Sequence, residues 1–250
     1  MILSRLYSGP QPTEGENPIT KQLIALAKEK KRELESLGIY GGPLLSSNTF
    51  ANEEVPLKPH VEEKLKLYLS KASFKSRGSY DFHQKAEKFL PVIDKILKEH
   101  GIPEDFRYIP LVESGLRPTV VSHKGAGGYW QFMPATARLY GLKVNGKVDE
   151  RLDLVKSTHA AARYLNDLYK QFGDWTLVAA AYNVGGGSLR ASIRRQKTDN
   201  YFDLSLNRET GAYVYKLISM KEIIERPQKY GYTRYADIDH EQDSYEENIL

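Results

Sequence analysis

The chain has 250 residues, 40% of them hydrophobic and 27% charged, with a formal net charge of +4. This length suits one large domain or a domain with an added arm, and no segment approaches the roughly 18 to 20 consecutive apolar residues of a membrane span, which argues against an integral membrane protein. The absence of cysteine excludes disulfides, thiol nucleophiles and cysteine-ligated zinc.

The predicted elements begin with an amino-terminal helical arm and linker, residues 1–54. The start MILSRLYSGPQP is too short and polar for the apolar core of a signal peptide. Asn17 and Pro18 suit the start of an amphipathic helix that Gly38 ends. Residues 39–57 are predicted to be a linker.

Helices dominate the rest of the chain. A helical segment over residues 55–100 holds helices over about 59–69 and 80–100, and is expected to pack on a catalytic domain over residues 101–232. Helices in that domain are predicted to start near Pro134, Ser157, Asp174 and Glu209. One weak hairpin candidate, LKVNGKVDE, has its turn at Asn145-Gly146. The predicted fold class is all-α, with at most a minor β-hairpin.

The end of the chain, residues 233–250, is predicted to be an acidic tail. Its last 14 residues hold six acidic residues and no Lys or Arg, so the remainder is more basic than the net charge suggests. A basic surface can favour a polyanion such as nucleic acid or an acidic cell-wall polymer, but lysines scattered over helix faces are more often simply solvated.

One carboxylate occupies a distinctive position. Glu113 directly follows the apolar residues 109–112 and precedes Ser114 and Gly115. On general grounds such a glutamate is a surface or ion-paired residue. The following segment SHKGAGGYWQFMPATARLYG, however, places three glycines before aromatic and amide side chains. Glycines permit close backbone approach, and aromatic and amide groups are the materials of a sugar-binding groove.

Four ordered blocks carry a family resemblance. They are Glu113-Ser114-Gly115 with Ser122 nine positions after the glutamate, Gly125-Ala126-X-Gly128, Gln131-Phe132-Met133-Pro134-X-Thr136-Ala137, and AAAYNVGGG at residues 179–187. Together they resemble the bacterial lytic transglycosylases with a goose-type lysozyme-like (SLT) catalytic domain, especially the membrane-bound D-type members, over about residues 55–232. One departure is Tyr129-Trp130, where many members have Leu-Met.

The resemblance implies a lyase that cleaves the β-1,4 bond between N-acetylmuramic acid and N-acetylglucosamine without water, leaving 1,6-anhydromuramic ends. Glu113 would serve as acid and then as base, with Tyr182 hydrogen-bonding and orienting it. An apolar wall can keep its proton in place by disfavouring the charged form. Residues expected to bind substrate are Ser122, Tyr129, Gln131, Met133, Asn183 and Glu209. Within residues 129–133, alternation predicts that Gln131 and Met133 face sugar while Trp130 is buried beneath them.

Most glycosidases use a second carboxylate. Asp149 and Asp153 alternate with Arg151, a pattern that predicts structural ion pairs, and Glu209 is interpreted as a substrate-side or orienting residue. No cofactor or metal is predicted, because cysteine is absent and the six histidines show no ligand-like spacing.

Two rival functions are weighed. One is a hydrolytic goose-type-like lysozyme, which would keep every motif and position a water molecule. The other is a non-catalytic peptidoglycan-binding module, in which the groove would persist and the acid would be lost; the presence of both Glu113 and Tyr182 argues against it. The expected partner is a peptidoglycan glycan strand, with no nucleic acid and no transmembrane segment, and any wall or membrane association is assigned to regions outside this sequence. The substrate implies a location in the periplasm or cell envelope.

Overall fold

The computed structural model describes residues 44–73 and 81–232, which form a helical domain with one small sheet. Its α-helices are α1 (Pro59–Ala72), α2 (Asp81–Glu99), α3 (Ile109–Glu113), α4 (Pro134–Leu139), α5 (Leu154–Phe172), α6 (Trp175–Val184), α7 (Gly186–Gln196) and α8 (Thr210–Glu225). Short 3-10 helices span Glu104–Tyr108, Glu150–Leu152, Tyr201–Asp203 and Pro227–Tyr230. The all-α prediction is confirmed. The predicted arm helix near residues 17–38 and the acidic tail lie outside the described residues.

The small sheet lies where the sequence predicted a linker. Strands β1 (Thr49–Phe50) and β2 (Glu53–Glu54) pair antiparallel around a turn in which Ala51 and Asn52 have positive φ. Phe50, Leu45 and Val55 are buried. Residues 44–57 therefore include a packed hairpin, which the sequence did not reveal because the strands are only two residues long.

Buried carboxylates hold this amino-terminal segment against the domain. Glu222 of α8 is 1% exposed and accepts hydrogen bonds from the backbone N–H of Ser46, at 2.6 Å, and from the Ser46 hydroxyl. Asp105 accepts from the backbone N–H of Ala51 at 2.7 Å and from Lys221 Nζ at 2.8 Å. A buried carboxylate is tolerated only when donors satisfy it, so these bonds fix the segment on α8 and on the 3-10 helix Glu104–Tyr108.

Aspartates set the starts of two helices. Asp153 accepts from the backbone N–H of Lys156 and begins α5 at Leu154, three residues before the predicted start at Ser157. This corrects the reading of Asp153 as an ion-pair partner of Arg151, because its side chain caps a helix instead. Asp174 caps α6 in the same way, as its predicted helix start implied.

The glycines after α6 do more than end it. Gly185 has φ +87°, which breaks the helix, and α7 begins at the next residue. The sequence predicted only a stop here. The predicted hairpin at residues 142–150 proves to be a single bridge between Val144 and Asp149, with the Asn145 side chain accepting backbone bonds in its turn.

Helix α8 is the centre of the core. It packs against α1 and α6, while α5 packs against α2 and α6. Apolar residues of α8 are buried around its whole circumference: Ala212, Val214, Leu217, Ile218, Met220 and Ile223. Most of the α8 surface is therefore buried, and its accessible polar side chains are the partly exposed Lys216 and Lys221 and the exposed Glu225.

Candidate active site

Glu113 ends α3 at the edge of the core. Ile109 and Leu111 of this five-residue helix are buried, and the chain turns away after Glu113 through Gly115, whose φ is +61°. The Ser114 hydroxyl donates to the carbonyl of Tyr129 at 2.9 Å. This bond ties the end of α3 to the glycine-rich loop, so the acid and the loop keep a fixed relation.

The Glu113 carboxyl is desolvated and hydrogen-bonded. Burial raises its pKa above the ordinary value, and the nearby charge of Glu209 raises it further. The Tyr213 hydroxyl of α8 donates to Glu113 Oε1 at 2.5 Å. This bond and the positive charge of Lys216 both lower the pKa of Glu113 and so oppose the effect of burial. Burial is the largest of these effects, as the predicted apolar wall requires. A carboxyl in such a setting can carry a proton for delivery.

Tyr182 has a different partner from the one that the resemblance implied. Its hydroxyl donates to the carbonyl of Trp130 at 2.6 Å, and its ring contacts Trp130, Phe132 and Tyr164 edge-on or at a tilt. Since a phenol has one proton to donate, the expected bond from Tyr182 to Glu113 is replaced by one that supports the glycine-rich loop. Tyr213 is the tyrosine that holds the acid.

Sequence reasoning assigned no role to Tyr213. It lies in the segment LNRETGAYVYK, 100 residues after Glu113, and only the packing of α8 against α3 brings the two together. A usable signal was its position: Tyr213 follows Glu209 by one helical turn, so both project toward the same region.

The glycine-rich loop is built around Arg151. Its guanidinium is buried, pairs with Asp149 at 2.7 Å, and donates to the carbonyls of Gly125 and Phe132 at 2.8 Å each. A Cβ on Gly128, which has φ +79°, would lie 2.0 Å from the Arg151 carbonyl oxygen. The predicted close backbone approach and the structural role of the Asp149–Arg151 pair are both confirmed.

Two cavities meet at the acid. One, of about 710 Å³, lies toward α1 and α8, and the other, of about 560 Å³, lies toward the glycine-rich loop and the end of α6. Glu113 and Glu209 line both. An elongated ligand can therefore pass the carboxyl group with parts on either side of it.

Five predicted substrate-binding residues lie at these cavities. Ser122, Gln131, Met133, Asn183 and Glu209 all line the 560 Å³ cavity. Gln131 donates from its amide nitrogen to the carbonyls of Val120 and Gly128, so this nitrogen holds the loop. Asn183 accepts from Thr210 and donates to Glu209 at 3.3 Å, which links the end of α6 to the start of α8.

Tyr129 does not line either cavity. It is 8% exposed and packs against Phe89 of α2, because the tight turn closed between Gly127 and Phe132 directs it into the core. The expectation that Tyr129 binds sugar is therefore corrected. Trp130 is fully buried, as predicted, and its indole N–H donates to Thr158 at 2.9 Å. Met133 is 42% exposed.

Two of the six histidines meet although their spacing did not predict it. His100 Nε2 and His159 Nδ1 are 3.0 Å apart, joining α5 to the end of α2. Over residues 44–73 and 81–232, no group of three or more His, Cys, Asp or Glu side chains is arranged to hold a metal ion.

Replacing Tyr213 with Phe should slow turnover by about tenfold or more, since hydrogen bonds to charged groups contribute about 1.5 to 3 kcal/mol. Loss of this donor destabilises the carboxylate, so the pKa of Glu113 should rise further. Activity that requires a protonated acid declines as pH rises through the pKa of Glu113, and this decline should move to higher pH in the variant. The pH dependence of kcat/KM for the wild-type protein and the variant measures the position of this decline.

Tyr182→Phe is the matched control, since it also removes a tyrosine hydroxyl, but one that donates to the carbonyl of Trp130 and not to Glu113. Its alkaline decline should stay at the wild-type position. A shift in Tyr182→Phe with none in Tyr213→Phe would reverse the two roles.

Comparison with known proteins identifies the family. Residues 91–204 match the family model described as Transglycosylase SLT domain. The chain is 34% identical over 182 residues to membrane-bound lytic murein transglycosylase D of Escherichia coli (strain K12), which covers 71% of this chain and 39% of that relative. It is 33% identical over 147 residues to a putative tributyltin chloride resistance protein of Alteromonas sp. (strain M-1), covering 57% of this chain and 71% of that protein.

A solved structure with similarity is the 70 kDa soluble lytic transglycosylase Slt70 of Escherichia coli, at 17% identity and a TM-score of 0.42, covering 85% of this chain and 44% of that one. In the described parts of the chain, no helix is both long and apolar enough to cross a membrane. The chain spans well under half of the length of the E. coli relative, so the match concerns a domain. The family model and the E. coli relative agree with the resemblance found in the four motif blocks, and the chain belongs to the transglycosylase SLT domain family.

Proposed function

We propose that this protein is a peptidoglycan lytic transglycosylase that acts in the periplasm or cell envelope. The observation that carries the proposal is Glu113: a desolvated carboxyl with a raised pKa, held by Tyr213, at the junction of two cavities. The family match and the name of the E. coli relative support murein as the substrate.

The proposed reaction uses Glu113 twice. It first gives its proton to the glycosidic oxygen, so the bond from that oxygen to C1 of N-acetylmuramic acid breaks and the N-acetylglucosamine side leaves as an alcohol. The acetamido carbonyl of N-acetylmuramic acid stabilises the positive C1. The C6 hydroxyl then attacks C1 to close the 1,6-anhydro ring, and its proton returns to the Glu113 carboxylate. Atoms balance without water.

Two carboxylates, Glu113 and Glu209, line the two cavities, and the scheme needs only one of them as acid and base. Glu209 is exposed and accepts a hydrogen bond from Asn183. A second carboxylate serving as nucleophile must contact the sugar carbon directly. We assign Glu209 instead to positioning substrate and raising the pKa of Glu113, and we assign Ser122, Gln131 and Met133 to sugar contacts.

The test is digestion of peptidoglycan in water enriched in heavy oxygen, followed by mass spectrometry of the products. We expect 1,6-anhydro ends with no incorporated label, because no water enters the products. Glu113→Gln protein serves as the background control. Labelled reducing ends would instead show a hydrolytic lysozyme, and an absence of cleavage would favour a non-catalytic binding module.

A further inference from the structure

A chain of hydrogen bonds connects the start of α8 to the candidate site. Asn207 Oδ1 accepts the backbone N–H groups of Glu209 and Thr210 at 3.0 and 2.9 Å. Asn207 Nδ2 donates to the Thr210 hydroxyl at 3.0 Å, and this hydroxyl donates to Asn183 Oδ1 at 2.8 Å. Asn183 Nδ2 then donates to Glu209 Oε1 at 3.3 Å. The chain begins at the backbone where α8 starts and ends on the carboxylate that neighbours Glu113.

The backbone sets the direction of these bonds. A backbone N–H can only donate, so the Asn207 atom that meets two of them is the oxygen, and the atom that meets Thr210 is the nitrogen. The Thr210 hydroxyl accepts from this nitrogen and has one proton to give, which Asn183 Oδ1 receives. A flipped Asn183 amide would remove this acceptor and set its own oxygen against a carboxylate oxygen of Glu209. The Asn183 amide therefore has one favoured orientation, with its nitrogen toward Glu209.

Thr210 is the buried link of the chain. It is 1% exposed, whereas Asn183 is partly exposed and Glu209 is exposed. The Thr210 side chain lines neither cavity, so it is not placed to touch a ligand there. An exposed glutamate side chain is free to adopt several rotamers, and ordering it costs entropy. A donor that is itself held in place, as Asn183 is by Thr210, favours one position of the carboxylate.

We propose that Thr210 is a positioning residue for Glu209. Its hydroxyl fixes the Asn183 amide, and the amide holds the Glu209 carboxylate beside Glu113, where the two cavities meet. The inference rests on the proposed function, in which Glu209 acts on Glu113, and it adds the residue that keeps Glu209 in position. Thr210 thereby influences the acid from a buried position, through two intermediate side chains.

The surroundings of Glu113 make the pH dependence of cleavage a readout of this role. Burial raises the pKa of Glu113 most, and the charge of Glu209 raises it further, whereas the hydrogen bond from Tyr213 and the charge of Lys216 lower it. Tyr182 of α6 is also close to the carboxyl group. The other charged side chains and the histidine of the two cavities are unchanged in every variant of the experiment: Lys71, Arg117, His123, Lys124 and Arg208. A Glu209 carboxylate that is no longer held should therefore raise the pKa of Glu113 less.

The experiment measures kcat/KM for a soluble glycan strand as a function of pH. Thr210→Val keeps the shape of the side chain and removes its hydroxyl. With the pKa of Glu113 lowered, the decline in activity should begin at lower pH, the opposite direction from Tyr213→Phe. Above this decline kcat/KM should fall about two- to tenfold, the range that one ordinary hydrogen bond covers, with a smaller change at acidic pH. Thr210→Ser, which regains a hydroxyl, is the matched control and should restore the wild-type position of the decline.

The double variant Glu209→Gln and Thr210→Val separates positioning from a general effect on folding. Glu209→Gln alone should move the decline to lower pH, because it removes the charge. Adding Thr210→Val should move it no further, since the hydroxyl then has no charge to position. Asn183→Ala breaks the same chain at a partly exposed residue and should shift the decline as Thr210→Val does, which gives a second measurement if the buried substitution lowers stability. Melting curves check that each variant is folded.

An unchanged decline in both Thr210→Val and Asn183→Ala, beside a shift in Glu209→Gln, would overturn the positioning role while leaving the proposed function in place. A loss of activity that is equal at every pH, or a further shift in the double variant, would also overturn it. A wild-type protein that releases no 1,6-anhydro ends would contradict the proposed function itself.

Discussion

Glu113→Gln is expected to abolish cleavage, with a loss of at least about 100-fold, because an amide of the same shape has no acidic proton to give to the leaving oxygen. The fold should survive. The amide oxygen can still accept from Tyr213, and the variant removes a carboxylate whose charged form burial disfavours. Since the pKa of Glu113 is raised in the folded state, ionisation at neutral pH costs stability, so the variant should melt at the wild-type temperature or above.

Product formation from peptidoglycan, followed by chromatography, measures this loss. Glu209→Gln is the matched control, because Glu209 lines the same two cavities and loses the same charge. It should lose less activity than Glu113→Gln. If Glu113→Gln kept more than about a tenth of the activity while Glu209→Gln was inactive, the acid would be Glu209.

Trp130→Ala is expected to destabilise the protein by about 3 to 5 kcal/mol, the usual cost of truncating a large buried aromatic residue. Trp130 is fully buried and donates to Thr158 of α5, so its loss leaves a void and removes one of the two hydrogen bonds of the Thr158 hydroxyl, which still donates to the carbonyl of Leu154. Chemical unfolding followed by circular dichroism gives this free energy.

Met133→Ala provides the contrast within the same loop. Met133 is half-exposed and lines the 560 Å³ cavity, so its truncation should weaken glycan binding and change stability little. Tyr129→Ala should behave like Trp130→Ala, with a smaller loss, because its ring packs on Phe89 away from the cavities. A stable Trp130→Ala protein that no longer binds glycan would show that the indole faces the substrate.

Local patterns were sufficient for much of the fold. Helix starts at Pro59, Pro134 and Asp174 were visible because proline and capping aspartate mark a first turn through chemistry within four residues. The sheet at residues 49–54 and helix α7 escaped prediction. Two-residue strands have no readable alternation, and a glycine that ends one helix looks the same whether or not another follows.

In the candidate site, too, contiguous motifs could be predicted from the sequence, whereas contacts between distant parts of the chain could not. Glu113 and the glycine-rich loop are contiguous motifs and could be found by reading along the chain, including the need for glycine at position 128. The hydrogen bond from Tyr213 to Glu113 depends on which helices meet, and no spacing within the sequence encodes the meeting of residues 100 positions apart. The burial of Arg151 depends on the fold of the glycine-rich loop, whose Gly125 and Phe132 carbonyls lie 26 and 19 residues earlier in the chain. The pairing of Tyr182 with Trp130 has the same origin, because it joins α6 to a loop 52 residues earlier.

The hydrogen bonds from Ser46 to Glu222 determine how far the protein can be shortened from its amino-terminal side without disturbing α8. Glu222 lies near the end of α8, the helix that also presents Tyr213 and Lys216 to the acid. A fragment beginning at residue 55 would strip Glu222 of its amino-terminal donors and uncover apolar surface that Leu45 and Phe50 now conceal. Because Glu222 and Tyr213 lie in the same helix, a displacement of the carboxyl end of α8 would also move the hydroxyl that donates to Glu113. We therefore expect residues 44–54, eleven positions that carry no catalytic motif, to stabilise the helix that presents Tyr213 to the acid.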